Sequence, residues 1–262
     1  MPADLSELHD LRLAAIESAN APLFAIVTDY PANYRVALHR HSRSQLLHAA
    51  SGVVLVVTTT GRWLVPSGQA LWIPAGLDHT VEMLGAGVRM YSVYVADGAL
   101  TTPPGAVRVL GLADLTRALI IEAAAPASPT VRSRLVMALL LEEIPALPEL
   151  PLGLPLPAEA RLAALCRRFI ASPDPHLTID DWADSLAMSR RAFTRAFRRE
   201  TGLSLSTWRQ QACLFTAMPR LARGEAVTTV AFDLGYDSVA AFTTMFRRML
   251  GAPPRAYFGL GG

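Results

Sequence analysis

Ser189-Arg-Arg-Ala-Phe-Thr-Arg-Ala-Phe-Arg-Arg-Glu-Thr-Gly202 reads as a short helix with two unlike faces. Ala192, Phe193, Ala196 and Phe197 recur at helical spacing on one side, while Arg191, Thr194, Arg195 and Arg198 fall on the other. Ser189 suits the N-cap and Gly202 the stop. The pattern occurs twice. Phe193, Phe197 and Gly202 match Phe242, Phe246 and Gly251 at an offset of 49, and upstream Trp182, Ala183 and Leu186 match Val230, Ala231 and Leu234 at an offset of 48. In each copy a short helix ends at a small residue, Ala187 or Gly235, and a second helix opens at a serine, Ser189 or Ser238. Two helices joined by a tight turn are a helix-turn-helix unit, whose outward face meets a major groove. One arginine on such a face only keeps the helix solvated. A cluster of them on a basic module suits phosphate neutralisation and base readout together.

The charge distribution supports this division of labour. Residues 1–156 hold 10 Arg against 13 acids, net −3, and residues 157–262 hold 14 Arg against 9 acids, net +5. There is no lysine, so every side-chain cation except histidine is the planar guanidinium suited to bidentate phosphate and guanine contacts. A length of 262 residues predicts two domains. No apolar run approaches the roughly 18–20 residues of a membrane helix, and residues 1–20 carry acids where a signal peptide would be basic, so a cytoplasmic protein without membrane contact is expected. Cys166 and Cys213, in helical segments, are expected to be small buried hydrophobes, not a disulfide or a zinc site.

The boundary lies where prolines crowd, at Pro145, Pro148, Pro151, Pro155 and Pro157. The predicted organisation is 1–144 as a first, mildly acidic domain, 145–157 as linker, and 158–262 as the basic DNA-binding domain. Before the linker, residues 111–124 and 131–143 show helical periodicity broken by Pro126 and Pro129, an α-hairpin closing the first domain. From Leu23 to about Val95, short β-branched runs alternate with Gly and Pro punctuation, the pattern of a sandwich or barrel. The fold class is thus α+β, a β-barrel with a helical hairpin followed by an all-α domain.

From Arg161 to Phe258 the chain resembles the DNA-binding domain of the AraC/XylS family of bacterial regulators. The likeness rests on Ile179-Asp-Asp-Trp-Ala, Phe193-Thr-Arg-Ala-Phe-Arg-Arg-Glu-Thr-Gly, Gly235-Tyr-Asp-Ser and Pro253-Pro-Arg-Ala-Tyr-Phe. The resemblance implies a linker helix over residues 205–223 and a double-stranded DNA site read by both units. It implies base contacts from Arg191, Thr194 and Arg195 in the first unit, flanked by Ser189, Arg190 and Arg198. In the second unit Val239, Ala240, Thr243 and Thr244 would face the groove beside Ser238. That second set has no long donor, so the first unit should carry most of the specificity and the second should grip backbone through Arg247 and Arg248. Two departures stand out. Pro219 falls inside the linker helix, where a proline costs about 3 kcal/mol and kinks the axis, and Cys213 stands where the family often has a basic residue.

In the first half, His39 and His41 alternate in a predicted strand and so share a face, with Gln45 four residues on. Gly68, Pro74, Gly76 and His79 form a second run. The two runs resemble the two motifs of the cupin superfamily, with Gln45 where glutamate is usual and Met83 where asparagine is usual. The resemblance implies His39, His41, Gln45 and His79 as the ligand set for one divalent transition metal, Zn, Ni, Cu or Fe, weakened by a neutral amide in place of a carboxylate. The alternative is a metal-free barrel in which these histidines line a ligand pocket or bond internally. Trp63, Trp72 and Tyr91 are candidate pocket residues, although aromatics at strand spacing also serve as plain core.

The expected protein is therefore a homodimeric transcription regulator, not an enzyme, that senses a small molecule or metal in its barrel and dimerises through residues 111–143. A metal-dependent, oxygenase-like cupin enzyme fused to a DNA-binding domain is the alternative, disfavoured because oxygen-activating iron sites generally pair histidine with carboxylate.

Overall fold

A computed structural model describes residues 13–84, 87–125, 130–174 and 176–258. By contacts the chain divides into two compact units, residues 1–58 with 63–151, and residues 59–62 with 152–262.

In the first unit, helical residues 13–18 (α1) precede β1 (Leu23–Tyr30), β2 (Arg35–His39), β3 (Ser44–Ala49), β4 (Val53–Thr58), β5 (Gly61–Val65), β6 (Ala70–Ile73), β7 (His79–Leu84), β8 (Val88–Val95) and β9 (Arg108–Leu110). The strands divide between two antiparallel sheets. One runs β1-β8-β3-β6-β9 and ends on β10 (Glu149–Leu150), and the other contains β5-β4-β7-β2 in that order. Side chains alternate across the first sheet. Leu46, Trp72, Val93 and Val95 face outward into a core closed by Leu119 and Ile120 of α2 (Asp114–Ala123) and Leu140 of α3 (Val131–Glu143). Thr130 opens α3 with a reciprocal capping box to Ser133. The hairpin expected from periodicity is these two helices; the break expected at Pro126 and Pro129 lies outside the described residues.

The proline-rich segment is more structured than its composition predicts. It holds a 3-10 turn, Ile144–Ala146, and β10 (Glu149–Leu150), which pairs with β9 through Glu149↔Leu110 and Leu150↔Val109. Pairing is possible because β10 is an edge strand and its two residues sit between Pro148 and Pro151, so no ladder donor is lost.

The second unit contains β11 (Gly153–Pro155), α4 (Ala160–Ala171), α5 (Ile179–Asp184), α6 (Arg190–Thr201), α7 (Leu205–Ala222), α8 (Val227–Asp233), α9 (Val239–Leu250) and α10 (Pro254–Phe258). Its first half packs on an aromatic cluster in which Trp182 meets Phe193 and Phe197, both at 6.2 Å between ring centroids, and Trp208 at 6.0 Å. Phe242 and Phe246 repeat the arrangement in α9 at 5.9 Å. Pro219 does not divide the linker helix: α7 continues through it as 18 residues. The proline stands in the last turn, so only the residues up to Ala222 lie beyond the missing N–H. Cys166 and Cys213 are buried, and burial pushes their thiols up to about 12 and about 11.

Candidate nucleic-acid interface and effector site

The two units of the DNA-binding half are built by the same local rules. Ser189 and Ser238 cap α6 and α9 by accepting from Ala192 N at 3.3 Å and Ala241 N at 3.2 Å. Gly202 and Gly251 end them in the left-handed conformation, φ 73° and 82°. The turns inside the units also match: Ala187 has φ 55° and Gly235 has φ 75°. The first copy therefore forces a left-handed alanine where the second uses glycine.

Burial of Phe193 and Phe197 turns the opposite face of α6 outward, and Arg190, Arg191, Thr194, Arg195 and Arg198 are all exposed. Arg190 reaches Asp180 at 3.5 Å, and the Thr194 hydroxyl donates to the Arg190 carbonyl at 2.8 Å. On α9, Ala240, Thr244 and Arg247 are exposed, whereas Val239 and Thr243 are half-buried. Arg248, also exposed, has a partner within the protein: its Nη2 donates to Gln210 Oε1 of α7 at 2.5 Å. It thereby fixes α9 against the linker helix. Arg220 does the same for α8, bonding Glu225 at 2.7 Å and Asp233 at 2.5 Å.

In the first unit the structure brings the predicted cluster together. His39 and His79 are register partners on β2 and β7, with ring centroids 4.2 Å apart; His41 lies 5.2 Å from His79. His41 is not on the strand, which ends at His39; it reaches the cluster from the following turn. One ring nitrogen of each histidine lies within 4.8 Å of the others. Each Nδ1 is held by a main-chain carbonyl two residues away along the chain, His39 on Ala37 at 2.9 Å, His41 on Arg43 at 2.5 Å and His79 on Leu77 at 2.8 Å. With Nδ1 held by a carbonyl, each ring carries Nε2 on its far side. His41 Nε2 donates to Gln45 Oε1 at 3.1 Å, and the Gln45 amide nitrogen donates to Ser92 Oγ at 2.9 Å.

The lumen beside this cluster is about 20 Å³, lined by Leu13, Ile16, Thr28, Tyr30, Ser92 and Tyr94 among others, with His39 and Gln45. In this conformation that volume holds about one water. The expectation that Trp72 and Tyr91 line the pocket is corrected by strand parity. Gln45 pairs with Tyr94 on the lumen face, and the neighbours Leu46↔Trp72 and His48↔Tyr91 point to the helical side. Trp72 is core there, its Nε1 donating to Pro104 O at 2.8 Å. Trp63 is buried in β5 and is not among the lumen's lining residues. Ser92 and Tyr94 were legible as lumen residues from their two-residue alternation along β8; Leu13 and Ile16 carry no such signal.

A capped helix repeated around a shared linker helix, with an arginine-rich outer face in the first copy, joined in the chain to a sheet domain with a polar lumen, defines a two-domain DNA-binding transcription regulator. The chain belongs to the AraC family. Residues 20–140 match the AraC-like ligand binding domain and residues 182–259 a helix-turn-helix domain. It is 33% identical over 225 residues to the HTH-type transcriptional regulator NimR of Escherichia coli (strain K12), covering 84% of this chain and 81% of that one. Among solved structures, ToxT of Vibrio cholerae with a bound unsaturated fatty acid aligns over 91% of this chain and 95% of its own at 10% identity and TM-score 0.40. The DNA-binding domain of AdpA in complex with a target DNA aligns over 38% of this chain and 90% of its own at 30% identity and TM-score 0.36. Among the described residues no helix is long and apolar enough to cross a membrane.

Proposed function

We propose that this regulator is metal-responsive: one divalent transition metal, Zn, Ni, Cu or Fe, binds at His39, His41, Gln45 and His79 and sets the affinity of the second unit for its operator. The observation that carries this is the shared anchoring of the three rings. Three separate main-chain carbonyls hold the three Nδ1 atoms, and the three imidazoles bring ring nitrogens together in one small space. That is the outer-shell pattern of metal-ligating histidine. The 3.1 Å from His41 Nε2 to Gln45 Oε1 also suits two donors on one ion, since bonds of about 2.1 Å place neighbouring ligands about 3.0–3.4 Å apart. A lumen of about 20 Å³ favours an ion over an organic effector in this conformation. With an amide where a carboxylate would stand, the cluster suits sensing better than oxygen activation, and we read the chain as a non-enzyme.

The same reading assigns base contacts to Arg191, Thr194 and Arg195, backbone contacts to Arg247, and a cytoplasmic location. It takes the working state as a homodimer joined through α2 and α3, where Leu115, Val131, Leu135 and Leu139 stand 52%, 64%, 64% and 42% exposed. The test is elemental analysis of purified protein with a metal titration followed by melting temperature and operator affinity. One metal per chain, lost in His39→Ala and His79→Ala, is expected. No stoichiometric metal and no shift in melting temperature overturns the metal reading while leaving the family assignment intact.

A further inference from the structure

The second unit contains a groove whose lining includes none of the residues assigned to base contacts, Arg191, Thr194 and Arg195. The groove, of about 420 Å³, opens between the two helix-turn-helix units, a volume within the usual range for small-molecule sites. Its floor is apolar: Phe169 from α4, Ile179 from α5, Leu205 and Cys213 from α7, and Leu234 from the second turn. Its rim is cationic and polar, with Arg190, Ser206, Arg209, Gln210 and Tyr236, and no carboxylate lines it. Arg209 is pre-set as a charge. Its guanidinium lies 5.1 Å over the Phe169 ring and donates to the carbonyls of Leu177 at 2.6 Å and Asp174 at 3.0 Å. Arg248 approaches the same rim through Gln210. The α7 position on the groove floor is Cys213, whose short side chain leaves this space open.

We propose that this groove binds an amphipathic organic anion, an aromatic or acyl carboxylate or sulfonate, with its apolar body on the floor and its charge toward Arg190 and Arg209. An apolar floor gains nothing from a phosphodiester, which argues for a small ligand and against the DNA backbone as occupant. Occupancy feeds directly into DNA binding. Arg190 is the first residue of α6, and Tyr236 precedes the Ser238 cap of α9 by two, so a bound molecule touches the start of both reading helices. By linkage, DNA and the anion then alter one another's affinity by the same factor. The proposal is independent of the metal reading.

The test titrates full-length protein with 8-anilino-1-naphthalenesulfonate by calorimetry and fluorescence. One saturable site per chain is expected, with binding about tenfold or more weaker in Cys213→Arg, which fills the floor, and retained in Cys213→Ser, which does not. Uncharged N-phenyl-1-naphthylamine should bind at least about tenfold more weakly than the sulfonate, and a duplex spanning two major grooves should shift the sulfonate affinity. Leu135→Glu should leave the site unchanged, separating it from the exposed helical face of the first unit. The proposal is overturned by absence of saturable binding, by equal binding of the uncharged congener, or by Cys213→Arg binding the probe like wild type in protein whose circular dichroism melt is intact. It is also overturned if Cys213→Arg weakens DNA binding with the probe unaffected, which would make the groove part of the duplex interface.

Discussion

Arg195 and Thr244 occupy exposed positions on the two reading helices, yet only one carries a long, bidentate-capable donor. Arg195→Ala should cost about 1–3 kcal/mol of discrimination between operator variants and Thr244→Ala much less, read by competition binding. Equal losses would refute the ranking of the two units. Ala187 offers a second test. Its φ of 55° places a Cβ in the left-handed region that Gly235 fills without strain in the other copy. Ala187→Gly should raise stability by about 1 kcal/mol, seen as a higher denaturant midpoint. The internal repeat already pointed to both positions, because Ala187 falls opposite Gly235 when the copies are laid together. The partners of Arg248 were not legible. Its sequence position marks it as outward on α9, and only the packing of α7 alongside brings Gln210 within reach.

At the scale of elements, apolar periodicity predicted α2, α3 and α5 to α9, although α3 buries only Leu140, and Ser189 and Ser238 marked where α6 and α9 begin. Pro219 is the exception. Composition predicts a kinked linker helix, and the structure keeps α7 continuous because the proline falls in the final turn, where only one interior carbonyl, that of Phe215, loses its N–H partner. Pro219→Ala should therefore recover about 1 kcal/mol and a few degrees in melting temperature, less than the full interior cost. A gain near 3 kcal/mol would mean that the helix is strained along its length. The same scale decided which aromatics see the lumen: the one-residue register offset between Gln45 and Leu46 sends Trp72 to the helical side.

For the molecule as a whole, the exposed apolar stripe on α2 and α3 and the basic second unit make two separable predictions. Leu135→Glu should shift the protein toward monomer in sedimentation and weaken binding to paired half-sites, while affinity for a single half-site stays unchanged; a monomeric wild type would remove the basis of this prediction. Arg247→Ala should lower affinity about equally for all sequences and reduce the salt dependence of binding by about one unit of slope, whereas Arg195→Ala should change the ranking of sequences. Sequence by itself determined the two-domain plan, the duplicated helix-turn-helix and the charge division, since each is written in local periodicity, spacing or composition, while the histidine and glutamine cluster was legible through the cupin resemblance of its two motifs. Tertiary structure decided the convergence of His39, His41 and His79, the lining of the lumen by Leu13 and Ile16, and the groove above Cys213. These depend on which main-chain carbonyl or neighbouring helix stands within a few ångströms, and contacts between residues distant in the chain leave no mark on the sequence around either one.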